Sequence, residues 1–247
     1  MEMEIAVAAT VAGAFVLGGL VKGVIGLGLP TVSIGIMGLV LPPVEAAAIL
    51  IVPSLATNIW QALVGANFFA LMRRLGPMLI GICAGSIGSA LIGIRPDAAA
   101  TAGLGAAIFL YSLIGLSPLK LHVPPRAEGW AGPLAGLGTG IITAATGVFV
   151  LPSGPYVQAL GLARDDLVQG LGLCFTVSTI ALAAALAIMG AMPANLTGIS
   201  AVAVVPAVAG MLLGQVVRHR VRPAAFRIWF FVGLMLLGAH LMLRSVF

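Results

Sequence analysis

The sequence predicts an all-α polytopic membrane protein made of two inverted repeats of about five helical segments each, every repeat holding a glycine/proline-broken short arm or hairpin. Three observations carry this. Hydrophobic residues make up 61% of the chain and charged residues 8%, against about 25% charged in soluble domains. A soluble interior cannot hide that much apolar surface, so most of it faces lipid. Several apolar runs reach the roughly 20 residues needed to cross about 30 Å of hydrocarbon. A hydrophobic segment is also broken once in each half, at Gly26, Gly28 and Pro30 and again at Gly147 and Pro152. Paired breaks in corresponding positions are the best sequence pointer to a transporter's binding site.

The elements follow in order. Helices are predicted over 5–27 and 44–66, with a short arm over 29–41 between them. Arg73-Arg74 form a basic connection before a helix over 75–94. Arg95-Pro96-Asp97 open a helix over 98–116, because proline suits a first helical turn, where its missing N–H is not needed. A polar loop over 117–129 holds Lys120, His122, Arg126 and Glu128. The second half reads as helix 130–151, short arm 152–162, helices 167–192 and 196–217, a basic loop 218–227, and a last helix 228–243. At 1.5 Å per residue the arms measure roughly 20 Å and roughly 16 Å, too short to cross comfortably. Each arm either continues its helix as one broken span or turns back as a hairpin.

Charge placement favours the hairpin. Basic residues concentrate on the cytoplasmic side. With hairpins, the end carrying Glu2 and Glu4 is outside, and Arg73, Arg74, Lys120, Arg126, Arg164, Arg218, His219, Arg220, Arg222 and Arg227 all fall inside. Arg95 and Arg244 remain outside. An odd number of limbs per half inverts the second repeat. The halves also match in register: Pro30 with Pro152, Ser54 with Thr176, Thr57 with Thr179, Gly26 with Gly147, and Ile94-Arg95-Pro96 with Val221-Arg222-Pro223. The domains are therefore a first membrane repeat over 1–116, a cytoplasmic linker over 117–129 and a second repeat over 130–247.

The net charge of +5 is read through loop placement, because no basic run is long enough to track nucleic acid. Cys83 and Cys174 have no metal-ligand spacing, and the three histidines form no ligand pair. No zincin, nucleophile-elbow or P-loop pattern is present, so neither an enzyme nor a cofactor is expected. The opening MEMEIAVAAT lacks the basic start of a cleaved signal and reads as part of a retained helix.

The residues so far resemble the sulfite exporter TauE/SafE family. The stretches that carry the resemblance are GGLVKGVIGLGLP, EAAAILIVPSLATNIWQAL and, in the second half, TGVFVLPSGPYVQALGLARDDLVQGLGL. The likeness covers nearly the whole chain in the same duplicated order. Family members often carry a Gly-Gly-Gly run at the hairpin; here it is thinned to Gly26-Leu27-Gly28 and to Thr146-Gly147-Val148-Phe149. The resemblance implies export or uptake of a small sulfur-containing anion, such as sulfite, a sulfonate or sulfoacetate. It also implies a multi-pass place in a bacterial inner membrane.

Candidate site residues follow from the physics of broken helices. A helix N-terminus carries about half a positive charge and unpaired N–H groups, which suits an oxyanion. One arm starts with Pro30, Thr31 and Ser33, the other with Pro152, Ser153 and Gly154. Thr31 and Ser153 either cap their helices or donate to substrate. Lys22 is a cation inside an apolar run, which is by default functional unless its stem snorkels to the interface. Its repeat counterpart is Thr143. Ser54, Thr57, Asn58 and Gln61 share one helix face, either for substrate or for interhelical hydrogen bonds. Thr176 and Thr179 keep part of that face in the second half, where Ile180 and Ala183 replace the amides. Glu45, Asp165 and Asp166 suit helix starts, with Glu45 the candidate for proton coupling. The expected partners are a small anion and the bilayer, with no nucleic acid, and the oligomeric state is left open, a homodimer being one option. An anion channel and a non-transporting assembly subunit are the alternative functions.

Overall fold

The computed structural model describes residues 2–94, 98–118, 121–192, 196–218, 220 and 223–244. The predicted helix start at 95–97, Lys120, His219 and Arg222, and the repeat match built on 94–96 and 221–223 lie outside the described residues, as do the side chains of Glu2, Glu4 and Arg244.

Every regular element among the described residues is an α-helix: α1 Glu2–Ile25, α2 Leu29–Met37, α3 Pro43–Leu63, α4 Phe68–Leu91, α5 Ala98–Leu116, α6 Pro125–Thr146, α7 Ser153–Ala159, α8 Arg164–Ile188, α9 Leu196–Val202, α10 Val204–Val217 and α11 Pro223–Arg244. Six stretches are long and apolar enough to cross a membrane: Ala6–Ile25, Pro43–Leu63, Phe68–Leu91, Arg164–Ile188, Gly198–Val217 and Ala225–Leu243. Several boundaries differ from the sequence reading: α6 ends at Thr146, α8 covers Arg164–Ile188, and α11 starts at Pro223, which takes Arg227 out of the predicted basic loop. α4 starts at Phe68, so Arg73 and Arg74 sit on its second turn and not in a connection. Arginine is a good helix former, and no glycine or proline interrupts residues 68–75. α6 starts at Pro125 and takes Arg126 and Glu128 into its first turn, because proline is preorganised for that position. The predicted helix over 196–217 is divided at Ala203 into α9 and α10.

The chain forms two compact units. Unit 1 takes Met1–Pro53, Pro96–Ser117 and Pro193–Phe247; unit 2 takes Ser54–Arg95 and Pro118–Met192. Each unit therefore draws on both halves of the sequence.

In unit 1, α1 packs along α10. A Cβ on Gly19 or Gly23 would overlap the carbonyl of Ala207 or Met211, and one on Gly210 or Gly214 would overlap that of Val16 or Leu20. The pairs advance together, so the helices run parallel. In unit 2, α4 and α6 do the same: Gly81 and Gly85 lie against the carbonyls of Pro133 and Leu137, and Gly136 and Gly140 against those of Met78 and Ile82. Small residues let helix backbones approach closely where lipid supplies no hydrophobic drive. The contacting segments of α4 and α10 share one pattern, Pro77-x3-Gly81-x3-Gly85 and Pro206-x3-Gly210-x3-Gly214. Also in unit 1, α5 and α11 pack antiparallel, with Gly105 against Gly238 and Gly115 against the Phe231 ring.

Both short arms turn back. Gly18 of α1 meets the Leu29 carbonyl, and the Ser33 hydroxyl donates to Ala14 O at 3.2 Å. Partners rise in number on α2 as they fall on α1, which is a hairpin. In unit 2, Gly138 lies against Pro152, Ser153 N–H donates to Thr139 Oγ1 at 3.0 Å, and the Tyr156 ring reaches Gly132. The α6–α7 pair is thus a hairpin of the same kind. Gly28 (φ 112°) and Gly147 (φ 74°) make the two reversals in a backbone region that L side chains rarely adopt.

Candidate functional site

In unit 1, α1 ends at Ile25, and the Gly26 N–H closes its last turn on Lys22 O at 2.8 Å. Lys22 stands in that turn and is 3% exposed. Its ammonium is therefore held inside the protein and does not reach an open surface. Gly26, Gly28 and Pro30 form the reversal into α2. Thr31 and Ser33 are buried on the first turns of α2. No side chain caps α2, so Thr31 is not a cap. The first helical donor, Val32 N–H, reaches Gly28 O at 2.9 Å. Among the described residues, the N–H groups of Leu29 and Thr31 have no hydrogen-bond partner, and Pro30 has none to offer. This helix start keeps donors available.

In unit 2 the corresponding groups are engaged. Thr143 donates to Thr139 O at 2.6 Å. At the start of α7, Ser153 N–H goes to Thr139 Oγ1 at 3.0 Å, Gly154 N–H to Val150 O at 2.7 Å and Tyr156 N–H to Pro152 O at 3.0 Å. The Ser153 hydroxyl donates to Phe149 O at 2.8 Å. Ser153 neither caps α7 nor keeps a spare donor proton.

The predicted polar face of α3 is buried: Ser54, Thr57, Asn58 and Gln61 are 8% exposed or less, while Trp60 behind them is 60% exposed. It meets α8 inside unit 2. Asn58 Nδ2 donates to Thr179 Oγ1 at 3.4 Å, and Thr179 in turn donates to Phe175 O at 2.7 Å. Gln61 Nε2 donates to Val168 O at 2.8 Å. Thr57 donates to Ser54 O at 3.2 Å, and Thr176 to Gly172 O at 2.7 Å. The hydroxyls of Ser54 and Ser178 are buried and make no hydrogen bond. Ile180, which stands where Asn58 has its amide, is 54% exposed and so faces outward.

Sequence reasoning missed Ser178 and Gln169. The buried Gln169 holds the turn between α3 and α4: its Oε1 accepts from Asn67 N–H at 3.1 Å, and its Nε2 donates to Ala62 O and Gly65 O at 2.8 and 2.9 Å. Both lie in the apolar run of α8, where polar spacing would have flagged them. Glu45 is half-buried in the first turn of α3. The predicted site residues thus divide. Lys22, Gly26, Gly28, Pro30 and Thr31 belong to unit 1. Ser54, Thr57, Asn58, Gln61, Thr143, Gly147, Pro152, Ser153, Thr176 and Thr179 belong to unit 2.

At one end of unit 2, Arg74 grips Glu128 with two bonds, Nε to Oε2 at 2.8 Å and Nη2 to Oε1 at 2.6 Å. α6 is not among the six candidate spans, and hydrogen bonding to Arg74 holds the Glu128 carboxyl below its usual range. Among the described residues no cluster of histidine, cysteine or carboxylate groups fits a metal.

Six apolar spans, two helices that reverse into short arms, a buried lysine and the unbonded hydroxyls of Ser54, Tyr111 and Ser178 define a multi-pass membrane protein with the build of a transporter. The family model described as Sulfite exporter TauE/SafE matches residues 11–241. The chain belongs to that family of membrane transporters. No curated protein and no solved structure matches it.

Proposed function

We infer that this chain is a secondary transporter for a small sulfur-containing anion, such as sulfite or a sulfonate, working by alternating access in a bacterial inner membrane. The observation that carries this reading is the end of the α1–α2 hairpin. There a lysine 3% exposed shares a reversal with a helix start whose Leu29 and Thr31 N–H groups are unengaged. A buried cation costs several kcal/mol in a membrane unless it is paired, so such residues are rare there and mark functional positions by default. Helix-start amides favour an oxyanion. The matching patterns on α4 and α10, and the matching hairpins, support an inverted duplication with re-entrant arms. Glu45, also in unit 1, is the proposed proton-coupling group.

The test is a thermal-shift screen of purified protein against sulfite, short sulfonates and carboxylates of similar size, because a ligand that prefers the folded state raises apparent stability. Sulfite or a sulfonate should raise Tm where carboxylates do not. Proteoliposome uptake then separates transporter from channel. Saturable uptake with counterflow supports the transporter, and unsaturable voltage-driven current refutes it.

A further inference from the structure

α3 carries a proline in its interior, Pro53. Proline has no N–H, so the carbonyl four residues earlier loses its helical donor. That carbonyl is Ile49 O. In the structure it is not left bare: the Ser200 hydroxyl, from α9, donates to it at 2.8 Å. The Ser200 Oγ also accepts from Val52 N–H at 3.2 Å. Ser200 is 2% exposed and Ile49 also 2%, so water does not compete for these groups. A serine hydroxyl has one proton to give and lone pairs to receive, and both capacities are spent on the turn that Pro53 disrupts. The residue after Pro53 is Ser54, where the buried polar face of α3 begins.

We propose that Ser200 supplies the donor that Pro53 removes, and is thereby a positioning residue for the part of α3 that presents Ser54, Thr57, Asn58 and Gln61. Restoring an N–H at position 53 should make Ser200 redundant, because Ile49 O would regain its own donor and Val52 N–H, freed of the proline's distortion, would turn to its regular helical acceptor, Ala48 O. The functional side of this inference rests on the transporter reading; the structural side does not.

The experiment is a cycle of four purified full-length chains in detergent: wild type, Ser200→Ala, Pro53→Ala and the double variant. Ser200→Ala should lower Tm by about 2–5 °C, the scale of one buried hydrogen bond in a membrane protein of this size. In the Pro53→Ala background the same change should move Tm by less than about 1 °C. Hydrogen exchange over residues 54–61 gives the positioning readout: it should rise in Ser200→Ala and return to the Pro53→Ala level in the double variant. Equal Tm losses in both backgrounds, or unchanged exchange over 54–61 in Ser200→Ala, overturns the assignment. Sulfite uptake in Ser200→Ala proteoliposomes should fall severalfold. Absence of uptake by wild type would count against the substrate alone, since the exchange cycle is read without substrate.

Discussion

In unit 1 the helix before the reversal carries Lys22 in its last turn; at the matching place in unit 2 stands Thr143, bonded to Thr139 O at 2.6 Å. Among the described residues, the Leu29 and Thr31 N–H groups that open the short arm in unit 1 have no partner; in unit 2 the hydroxyls and carbonyls of the same hairpin take up every N–H at the arm's start. The scaffolds are alike, since each hairpin reverses at a glycine and each long helix crosses a Pro-x3-Gly-x3-Gly helix through paired glycines. One scaffold thus carries two chemistries. On the proposed reading the unit 1 hairpin would receive the anion, while the unit 2 hairpin satisfies its own hydrogen bonds. Unit 2 keeps its unused hydroxyls elsewhere, at Ser54 and Ser178.

Substituting the two counterparts tests this contrast most sharply. Lys22→Ala should weaken sulfite binding, read by titration calorimetry, by about 30-fold or more, the scale of a charged hydrogen bond. Thr143→Ala should change it by less than about 3-fold. Equal losses would remove the asymmetry. The shared scaffold is tested next. Gly85→Val on α4 and Gly214→Val on α10 each force a side chain into a facing carbonyl, at a cost of about 1–3 kcal/mol. Both should lower Tm by about 3–10 °C, and an effect in only one would show that the crossings are not equivalent. Thr139→Val leaves the Ser153 N–H without its acceptor and should lower Tm by about 2–5 °C. Sulfite affinity should hold if, as proposed, the anion is carried by the unit 1 hairpin. The smallest effect concerns the clamp at Arg74. Glu128→Gln should lower Tm by about 1–2 °C at pH 7, since a partly exposed pair contributes little. Because Arg74 lowers the pKa of Glu128, the ion pair contributes in full above the usual carboxylate range. Its contribution is lost as pH falls through the lowered value. The Tm gap between wild type and Glu128→Gln should therefore close in acid.

Much of this arrangement is written locally. The reversals at Gly26, Gly28, Pro30 and Gly147 are backbone chemistry, visible in a few residues. The buried face from Ser54 to Gln61 follows from helical spacing alone. What escaped the sequence reading was pairing at a distance. Ser200 is an ordinary serine until Ile49 and Val52 are beside it, and Gln169 is unremarked until the turn at Gly65 and Asn67 closes over it. Two missed signals were legible: polar residues inside the apolar run of α8, and a repeated proline-glycine spacing. The Pro-x3-Gly-x3-Gly patterns at Pro77 and Pro206 stand in plain sight, but the register that aligns Pro30 with Pro152 does not superpose them. Helix starts at Phe68 and Pro125 were missed because arginine and glutamate in a first or second turn look like loop residues to a hydrophobicity reading.

The interleaving of the two units has a consequence for biosynthesis. The glycine face of α1 that bears Gly19 and Gly23 finds its mate only when Gly210 and Gly214 leave the ribosome. At about 5–20 residues per second, that is a wait of roughly 10–40 s during which a groove in the first helix stands open among lipids and other nascent segments. A chain stopped before α10 would be membrane-inserted but unfinished, with its earliest element still without the surface it was shaped to meet.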